Sequence, residues 1–268
     1  MSQIKNPLEV YKILPKSNCG ECSVPTCMAF AAAVLMGNNK LTDCPHISSD
    51  ISESLADKIT THKSIARNRE AVVEKLKSKV SAVDFASSSD RLGATIAGDK
   101  LVIKCLGKDF FIDHLGNITS DYHTHSWMEF ILLDYILSSK GGNLSGEWVP
   151  FRELKKGAGM GPLFEQLCEK PLKHMADTVT DLFKDLIYIF SGDRTTNMFS
   201  SDISLILYPL PKVPFLICYW KRDGDIDSSL HVFFDSTVEE HLSIDAIHAL
   251  GTGLTVMFEK VVLKHKNT

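Results

Sequence analysis

The sequence has no cluster of lysine and arginine residues of the kind that a nucleic-acid-binding surface normally needs. Its 268 residues include 29 Lys and Arg against 33 Asp and Glu, which gives a formal net charge of -4. It opens without an apolar segment of signal-peptide length. Apolar windows such as residues 130–137 are far shorter than the roughly 20 residues of a membrane span. We therefore expect a cytoplasmic protein with no membrane span and no nucleic-acid partner.

Familiar catalytic signatures are also absent from the sequence. There is no G-x-S-x-G nucleophile motif, and the acidic residues show no paired-carboxylate pattern. The glycine-rich stretch KKGAGMGP, residues 155–162, lacks both the preceding strand and the Lys-Ser/Thr pair of a phosphate-binding loop. We interpret it as a flexible loop. The sequence therefore does not decide whether the protein is an enzyme.

Cysteine, by contrast, is concentrated in one place. Four of the seven cysteines lie within residues 18–45, with the spacing Cys19-x2-Cys22-x4-Cys27-x16-Cys44. In a reducing compartment, clustered cysteines are more often metal ligands or redox groups than disulfides. Three thiols from one short loop and a remote fourth favour a [4Fe–4S] cluster. Zinc, which is usually held by two pairs of ligands, and a disulfide framework remain alternatives.

The residues between these cysteines suit a cluster loop. Gly20 allows unusual backbone angles, and Pro25 with Thr26 predicts the start of a helix that carries Cys27 in its first turn. Helix N-terminal N–H groups can point at sulfur and so tune a reduction potential. His46, close after Cys44, could contact the cluster, although a solvent-facing loop histidine is the simpler interpretation.

The stretch CGECSVPTCMAFAAAVLMGNNKLTDCP resembles the small iron–sulfur domain at the N-terminus of the large subunit of corrinoid iron–sulfur proteins of anaerobic acetyl-CoA metabolism. The glycine after the first cysteine, Pro-Thr before the third, the alanine-rich helix and the proline after the last all match. The resemblance implies a [4Fe–4S] cluster that passes low-potential electrons to a corrinoid cobalt, held by Cys19, Cys22, Cys27 and Cys44. It covers only residues 1–60.

Beyond that segment, runs of strands and runs of helices are separate. This pattern predicts an α+β domain with an antiparallel or mixed sheet rather than the repeated βα units of a TIM barrel. Residues 144–154, 208–225 and 231–251 resemble an uncharacterised domain family that follows this cluster domain in strict anaerobes. The expected division is a cluster domain (1–60), a helical linker (61–85) and an α+β domain (86–268), with a boundary loop at 86–90.

Candidates for binding a corrinoid lie in this second part. His123 and His125, two residues apart in YHTHSW, could ligate a metal or serve as an axial cobalt ligand, unless they simply belong to a polar loop before a helix. Trp148 and Trp220 could form walls for a flat ligand, although core packing is the commoner role of tryptophan. The three isolated cysteines are expected to be small buried residues without a ligand role: Cys105, Cys168 and Cys218.

Together these features lead us to expect a [4Fe–4S] protein that transfers low-potential electrons in anaerobic one-carbon or corrinoid metabolism. Its partner would be a corrinoid (cobalamin) or a redox protein that meets the C-terminal domain. Two alternatives stay open: a simple electron carrier or interaction subunit without a corrinoid, and a redox enzyme of unknown substrate. Assembly as a homodimer also stays open.

Overall fold

A computed structural model of the chain describes residues 4, 6–36, 38–56, 58–59, 62–121, 126–181, 185, 190, 193–195 and 198–266. The chain divides into two compact units, Met1–Glu74 and Lys75–Thr268. The boundary lies inside one long helix, His62–Val80.

The first unit is helical. Its first helix begins at Pro7, where the Asn6 side chain accepts a hydrogen bond from the N–H of Leu8 at 2.9 Å, as the Asn-Pro pair predicts. The second begins at Cys27, where the Thr26 hydroxyl accepts the N–H of Ala29 at 3.1 Å. The elements are α1 (Pro7–Ile13), α2 (Cys27–Met36), a 3-10 turn (Leu41–Asp43), α3 (Ser49–Ala56) and the first part of α4 (His62–Val80).

The core of this unit is small, and cysteines are part of it. Apolar side chains from α1, α2 and the 3-10 turn pack in the same buried cluster as Cys22, Cys27 and Cys44. Few residues are available to bury apolar surface in a module of this size. Its stability should therefore depend strongly on whatever the cysteines hold, as in other small metal-binding domains.

The second unit starts with a helix and a four-stranded antiparallel meander. Asp84 caps the start of the helix by accepting the N–H of Ala86, and Gly93 ends it at φ +58. The elements in chain order are α5 (Phe85–Leu92), β1 (Thr95–Ala97), β2 (Lys100–Cys105), β3 (Lys108–Ile112), β4 (Ile118–Thr119) and then α6 (Ser126–Ser138).

A five-stranded antiparallel sheet forms the rest of this unit, in the order β5-β9-β8-β7-β6. On β9, Leu230, Val232 and Phe234 are buried against the core, whereas His231 and Phe233 alternate with them on the other face and are only half-buried. The strands are β5 (Trp148–Pro150), β6 (Asp193–Thr195), β7 (Ile203–Leu210), β8 (Val213–Trp220) and β9 (Ser229–Asp235).

Helices complete the core of the second unit. Phe164 stacks on Phe151 with ring centroids 4.3 Å apart and also contacts Phe234 of β9 and His248. The last helix begins where the hydroxyl of Ser243, its predicted cap, accepts the N–H of Ala246 at 3.3 Å. These elements are α7 (Gly157–Phe164), a π-helical turn (Glu165–Glu169), α8 (Lys170–Thr178) and α9 (Ile244–Lys266).

The prediction of an α+β fold is confirmed, since a small helical module precedes a unit that contains two antiparallel sheets. The prediction of antiparallel or mixed pairing is also confirmed, because every pair of neighbouring strands in the two sheets is antiparallel.

Two local predictions are wrong. Residues 86–90 are not a boundary loop but part of α5, because Asp84 and Gly93 cap a full helix there. Residues 155–162 are not a flexible loop, since most of them form α7, where Gly157 packs against the carbonyl of Phe151.

One stretch of α9, Ile244–Leu263, is long and apolar enough among the described residues to cross a membrane by length and composition alone. The search of apolar windows in the sequence missed it. Ala246, Ile247, Leu250 and Leu254 on this stretch are almost completely buried, and α9 packs against α6, α7 and the π turn. Core packing thus accounts for its apolar composition.

Candidate metal centre

Three of the four clustered cysteines belong to the buried core of the N-terminal unit, and the fourth, Cys19, lies in the same loop as Cys22. Cys19 and Cys22 lie in the loop before α2, Cys27 is the first residue of α2, and Cys44 directly follows the 3-10 turn. Three of them are buried, and Cys19 is exposed. No disulfide joins any of the seven cysteines, all of which lie in the described part of the chain. The predicted position of Cys27 at a helix start is confirmed.

The loop before α2 is shaped by residues with left-handed backbone angles. Lys16, Asn18 and Ser23 have φ of 63, 51 and 65, and Gly20 has φ of 77. Only glycine adopts such angles without steric cost, so the three other residues hold the loop in a strained form. Strain of this kind persists where surrounding structure imposes it and is frequent at functional sites. The unusual φ expected for Gly20 is present.

Backbone N–H groups of this loop point at sulfur. The N–H of Asn18 donates to Sγ of Cys27 at 3.4 Å, and the N–H of Glu21 donates to Cys19. The side chain of Asn18 in turn accepts the N–H of Cys27 at 2.8 Å. Hydrogen bonds to sulfur favour its thiolate form, which is the form that binds metals. The loop is thus arranged to stabilise negative charge on sulfur.

The pKa values of two of the thiols reflect their surroundings. The pKa of Cys19 is lowered, chiefly by the hydrogen bond from the N–H of Glu21 and also by the hydroxyl of Ser17. The pKa of Cys22 is raised, first by burial and also by the nearby sulfurs of Cys44 and Cys19. As thiolates, these neighbouring sulfurs would repel one another. A positively charged iron centre would offset this repulsion.

Next to Cys19, an exposed histidine contacts an exposed carboxylate. His46 Nε2 is 3.0 Å from Oε2 of Glu21, and the ligand atoms of Cys19, Glu21 and His46 all lie within 4.8 Å of one another. The side chain of His46 is 44% exposed. The solvent-facing position considered for His46 is therefore the one observed, and it also brings the imidazole to the exposed sulfur.

The donor set fits the group that the spacing predicts. Three thiols in one small buried core and an exposed fourth in the same loop, with N–H donors to two of the sulfurs, are the kind of donor set that a thiolate-bound iron–sulfur site uses. Four cysteine thiolates are also a ligand set for zinc. The fold and the site thus define a class: a small cysteine-rich module followed by a larger α+β domain.

Two family models match this chain in different segments. Residues 84–257 match the model described as "Domain of unknown function (DUF3786)", and the chain belongs to that family. Residues 14–46 match the model described as "Putative Fe-S cluster". The N-terminal segment is therefore an iron–sulfur cluster domain, of a cluster type that the match does not specify. The uncharacterised C-terminal family expected from the resemblance is confirmed.

Similar curated proteins match in the same N-terminal segment. A stretch of 43 residues, 16% of this chain and 9% of the relative, is 58% identical to acetyl-CoA decarbonylase/synthase complex subunit gamma 2 of Methanosarcina mazei. A stretch of 48 residues, 18% of this chain and 11% of the relative, is 52% identical to the corrinoid/iron-sulfur protein large subunit of Moorella thermoacetica. The aligned segments thus span about a tenth of these relatives. No solved structure matches the chain.

The candidate corrinoid residues are not gathered into one site. His123 and His125 lie outside the described residues. Trp148 pairs with Asp235 at the end of β9, and Trp220 pairs with Ser229 at its start. The backbone positions of the two tryptophans are therefore about 20 Å apart along the strand direction. The structure does not bring these two candidate wall residues together.

The three isolated cysteines have the buried positions that were expected. Burial raises the pKa of Cys105 and of Cys168 to about 12, and it also raises the pKa of Cys218. None of them lies in the N-terminal unit. A thiol of this kind is inert and packs as a small apolar side chain.

One group of polar residues escaped the sequence analysis. His231 lies beside Trp220, with ring centroids 5.9 Å apart, and its Nδ1 is 3.7 Å from Oε1 of Glu169. The carboxylate of Glu169 raises the pKa of His231. The alternation of Leu230, His231 and Val232 could have placed this histidine on the outer face of the sheet. Nothing in the sequence indicated that Glu169 would reach it.

Proposed function

We propose that this chain is a [4Fe–4S] iron–sulfur protein that transfers low-potential electrons in anaerobic one-carbon metabolism. The ligands would be Cys19, Cys22, Cys27 and Cys44. The observation that supports the proposal is a set of four unbridged thiols, three of them in one buried core, in the segment that matches the iron–sulfur family. When bound, the cluster supplies reversible one-electron chemistry.

The residues of the loop would set how readily an electron is accepted. The N–H groups of Asn18 and Glu21, aimed at sulfur, stabilise added negative charge and so raise the reduction potential. Burial of Cys22, Cys27 and Cys44 acts in the opposite direction, since charge is costly in an apolar core. Electrons would enter or leave by outer-sphere transfer, so the thiolates bind and tune without forming or breaking bonds.

The most specific form of the proposal assigns a corrinoid as electron acceptor. It would be bound by the α+β domain or presented by a protein partner. The names of the similar proteins from Methanosarcina mazei and Moorella thermoacetica support this, because one is a subunit of an acetyl-CoA decarbonylase/synthase complex and the other a corrinoid/iron-sulfur protein. We further propose a cytoplasmic protein with domains at 1–60 and 86–268 joined by 61–85, and leave open whether it forms a homodimer.

A second candidate is an electron-carrier or interaction subunit that handles no corrinoid. It is favoured by the extent of the similarity, which covers 16–18% of this chain and about a tenth of each relative. Only the cluster domain is shared, so a corrinoid site does not follow from the match. In this form, the α+β domain is a docking surface for a redox protein.

The test is chemical analysis and spectroscopy of the full chain purified without oxygen. The proposal expects about four iron and four sulfide per chain, a broad absorbance shoulder near about 400 nm, and an electron paramagnetic resonance signal after reduction. Zinc without sulfide would overturn it. Addition of cobalamin then separates the candidates, because new sharp corrinoid bands and measurable affinity support the corrinoid form. Spectra that do not change when cobalamin is added support the second candidate, an electron carrier or interaction subunit without a corrinoid.

A further inference from the structure

The four clustered cysteines do not have equal surroundings. Cys22, Cys27 and Cys44 belong to the buried core of the N-terminal unit, and their exposed fractions lie between 5% and 8%. Cys19 is exposed and is not part of that core. A sulfur that fills space in a packed core cannot leave its position without disturbing its neighbours. Cys19 is therefore the member of the set whose sulfur can move at the lowest cost.

Two further side chains of the kind that bind metals stand beside Cys19. Among the residues that the structure describes, Cys19, Glu21 and His46 are the one set of three whose ligand atoms lie within 4.8 Å of one another. His46 also forms a hydrogen bond with the thiol of Cys19. Two ligands of one tetrahedral metal are about 3.5–4 Å apart. The imidazole thus reaches the coordination sphere of a metal held by Cys19 after only a small movement.

Glu21 is placed to orient this imidazole. Its Oε2 lies 3.0 Å from Nε2 of His46. A carboxylate that accepts a proton from one ring nitrogen fixes the ring and makes the other nitrogen a better ligand. Histidine replaces cysteine at the iron of some natural clusters, whereas carboxylates suit harder ions. Of the two side chains, His46 is therefore the better substitute for a thiolate.

Both side chains are anchored independently of Cys19. The N–H of Ile47 donates to the carbonyl of Cys44 at 3.3 Å and closes the turn that contains His46. A second turn, closed by a hydrogen bond of 3.2 Å across residues 20–23, contains Glu21. Neither hydrogen bond involves Cys19, so the imidazole and the carboxylate stay in place when its sulfur moves away.

We propose that Cys19 is the exchangeable ligand of the cluster and that His46, oriented by Glu21, is its reserve ligand. The inference rests on the proposed function and concerns the regulation of the same site. In the exchange, the neutral imidazole gives its lone pair to the iron, and the departing thiolate takes a proton from water, so no electron is transferred. Because a neutral ligand replaces a charged one, the reduction potential rises. A reagent that captures the exposed thiol would thus leave the protein loaded but a weaker electron donor.

The experiment counts iron and sulfide in the full chain, purified without oxygen. About four iron atoms per chain are expected in the unaltered protein, in His46→Ala and in Cys19→Ala, where the reserve ligand takes over. Cys19→Ala combined with His46→Ala should lose at least one iron atom. The matched control combines Cys19→Ala with His174→Ala, which replaces an exposed histidine of α8, and should keep full iron.

Pulsed electron paramagnetic resonance of the reduced samples then identifies the new ligand. With histidine labelled with the heavy nitrogen isotope, Cys19→Ala should show a nitrogen coupling that changes on labelling. The unaltered chain and the variant that lacks both Cys19 and His46 should show none. A redox titration should place the reduction potential of Cys19→Ala at a more positive value than that of the unaltered chain.

Full iron in the variant that lacks both residues overturns the inference, and so does iron loss in Cys19→Ala alone or a missing histidine coupling. A small external thiol, added with iron, should restore the lost iron in the variant that lacks both. Failure of this rescue also overturns the inference, since the three buried cysteines would then not hold the rest of the cluster. An unaltered chain without iron and sulfide overturns the proposed function itself, so the two failures are distinguishable.

Discussion

Asn18 and Cys27 are joined by two opposite hydrogen bonds across the cysteine loop. The N–H of Asn18 donates to Sγ of Cys27 at 3.4 Å, and the Asn18 side chain accepts the N–H of Cys27 at 2.8 Å. The first bond touches the sulfur, and the second fixes the start of α2. One residue thus links the conformation of the loop to the helix that carries a ligand.

Asn18 should therefore contribute to the stability of the N-terminal unit in two separable ways, through its side chain and through its backbone angle. Asn18→Gly removes the side-chain acceptor but suits the left-handed φ, and should cost about 1 kcal/mol of module stability. Asn18→Ala adds the strain of alanine at that angle, about 1–2 kcal/mol more. Urea titration of the anaerobic protein, followed by cluster absorbance, should rank the midpoints as unaltered chain, Gly, Ala. Equal midpoints for the two variants would contradict the role of φ.

The ligand assignment predicts a sharp contrast between cysteines. Cys22→Ser should lower the iron content to less than half, because one thiolate of the buried set is lost. Cys105→Ala is the matched control: this thiol is buried in the other unit, so full iron content is expected. Iron and sulfide analysis of both variants tests whether Cys22 is a cluster ligand. Normal iron in Cys22→Ser would remove that residue from the ligand set.

Two glycines of α7 should respond in opposite directions to alanine. A Cβ at Gly157 would meet the carbonyl oxygen of Phe151 at 1.8 Å, whereas a Cβ at Gly159 would meet no atom within 4 Å. Gly157→Ala should lower the free energy of unfolding by about 2–4 kcal/mol. Gly159→Ala should raise it by roughly 0.5–1 kcal/mol through helix propensity.

Tryptophan fluorescence during urea unfolding measures both effects. All three tryptophans, Trp127, Trp148 and Trp220, belong to the C-terminal unit, so the signal reports that unit alone. A Gly157→Ala variant as stable as the unaltered chain would show that α7 does not pack on Phe151 as described.

Asp235 should make stability depend on pH. Burial alone would raise its pKa, but hydrogen bonds from Thr237, Ser145 and Gly146 outweigh burial and lower the pKa below its ordinary value. A depressed pKa in the folded state contributes stability above the unfolded-state pKa, and this contribution disappears as the pH falls through the folded-state value. Asp235→Asn should therefore cost about 2–3 kcal/mol at neutral pH and progressively less in acid.

The same fluorescence measurement at several pH values checks this. Asp225→Asn serves as the control, since Asp225 lies exposed in the β8–β9 loop and should change stability by less than about 0.5 kcal/mol. A difference between Asp235→Asn and the unaltered chain that is constant from neutral to acid pH would contradict the assignment of charge to this carboxylate.

Short sequence motifs predict those parts of the fold that depend on interactions between residues close together in the chain. Asn6 before Pro7 and Ser243 before α9 mark helix starts because a side-chain oxygen caps nearby N–H groups whatever surrounds them. The cysteine spacing predicted the metal centre for a similar reason. Cys19, Cys22 and Cys27 lie within nine residues, so they stay near one another however the loop folds.

Contacts that depend on irregular backbone geometry or on strand register could not be foreseen in this way. Gly157 meets the backbone carbonyl of Phe151 because of the turn at Phe151, whereas in the sequence this glycine looks like part of a flexible loop. Glu169 meets His231 because it lies in a π turn and β5 leaves part of β9 unpaired. Neither the turn nor the strand register has a sequence signature.

Three of the clustered sulfurs are shielded by the core, and Cys19 alone faces solvent. A redox group held by these four atoms would therefore have one exposed side, at Cys19, and one side buried in the core. Because electron tunnelling weakens steeply with distance, a partner that docks at Cys19 would exchange electrons far faster than one that docks elsewhere on the module. The orientation of a docked partner would then decide how fast it exchanges electrons, because only the Cys19 side of the group is close to the surface.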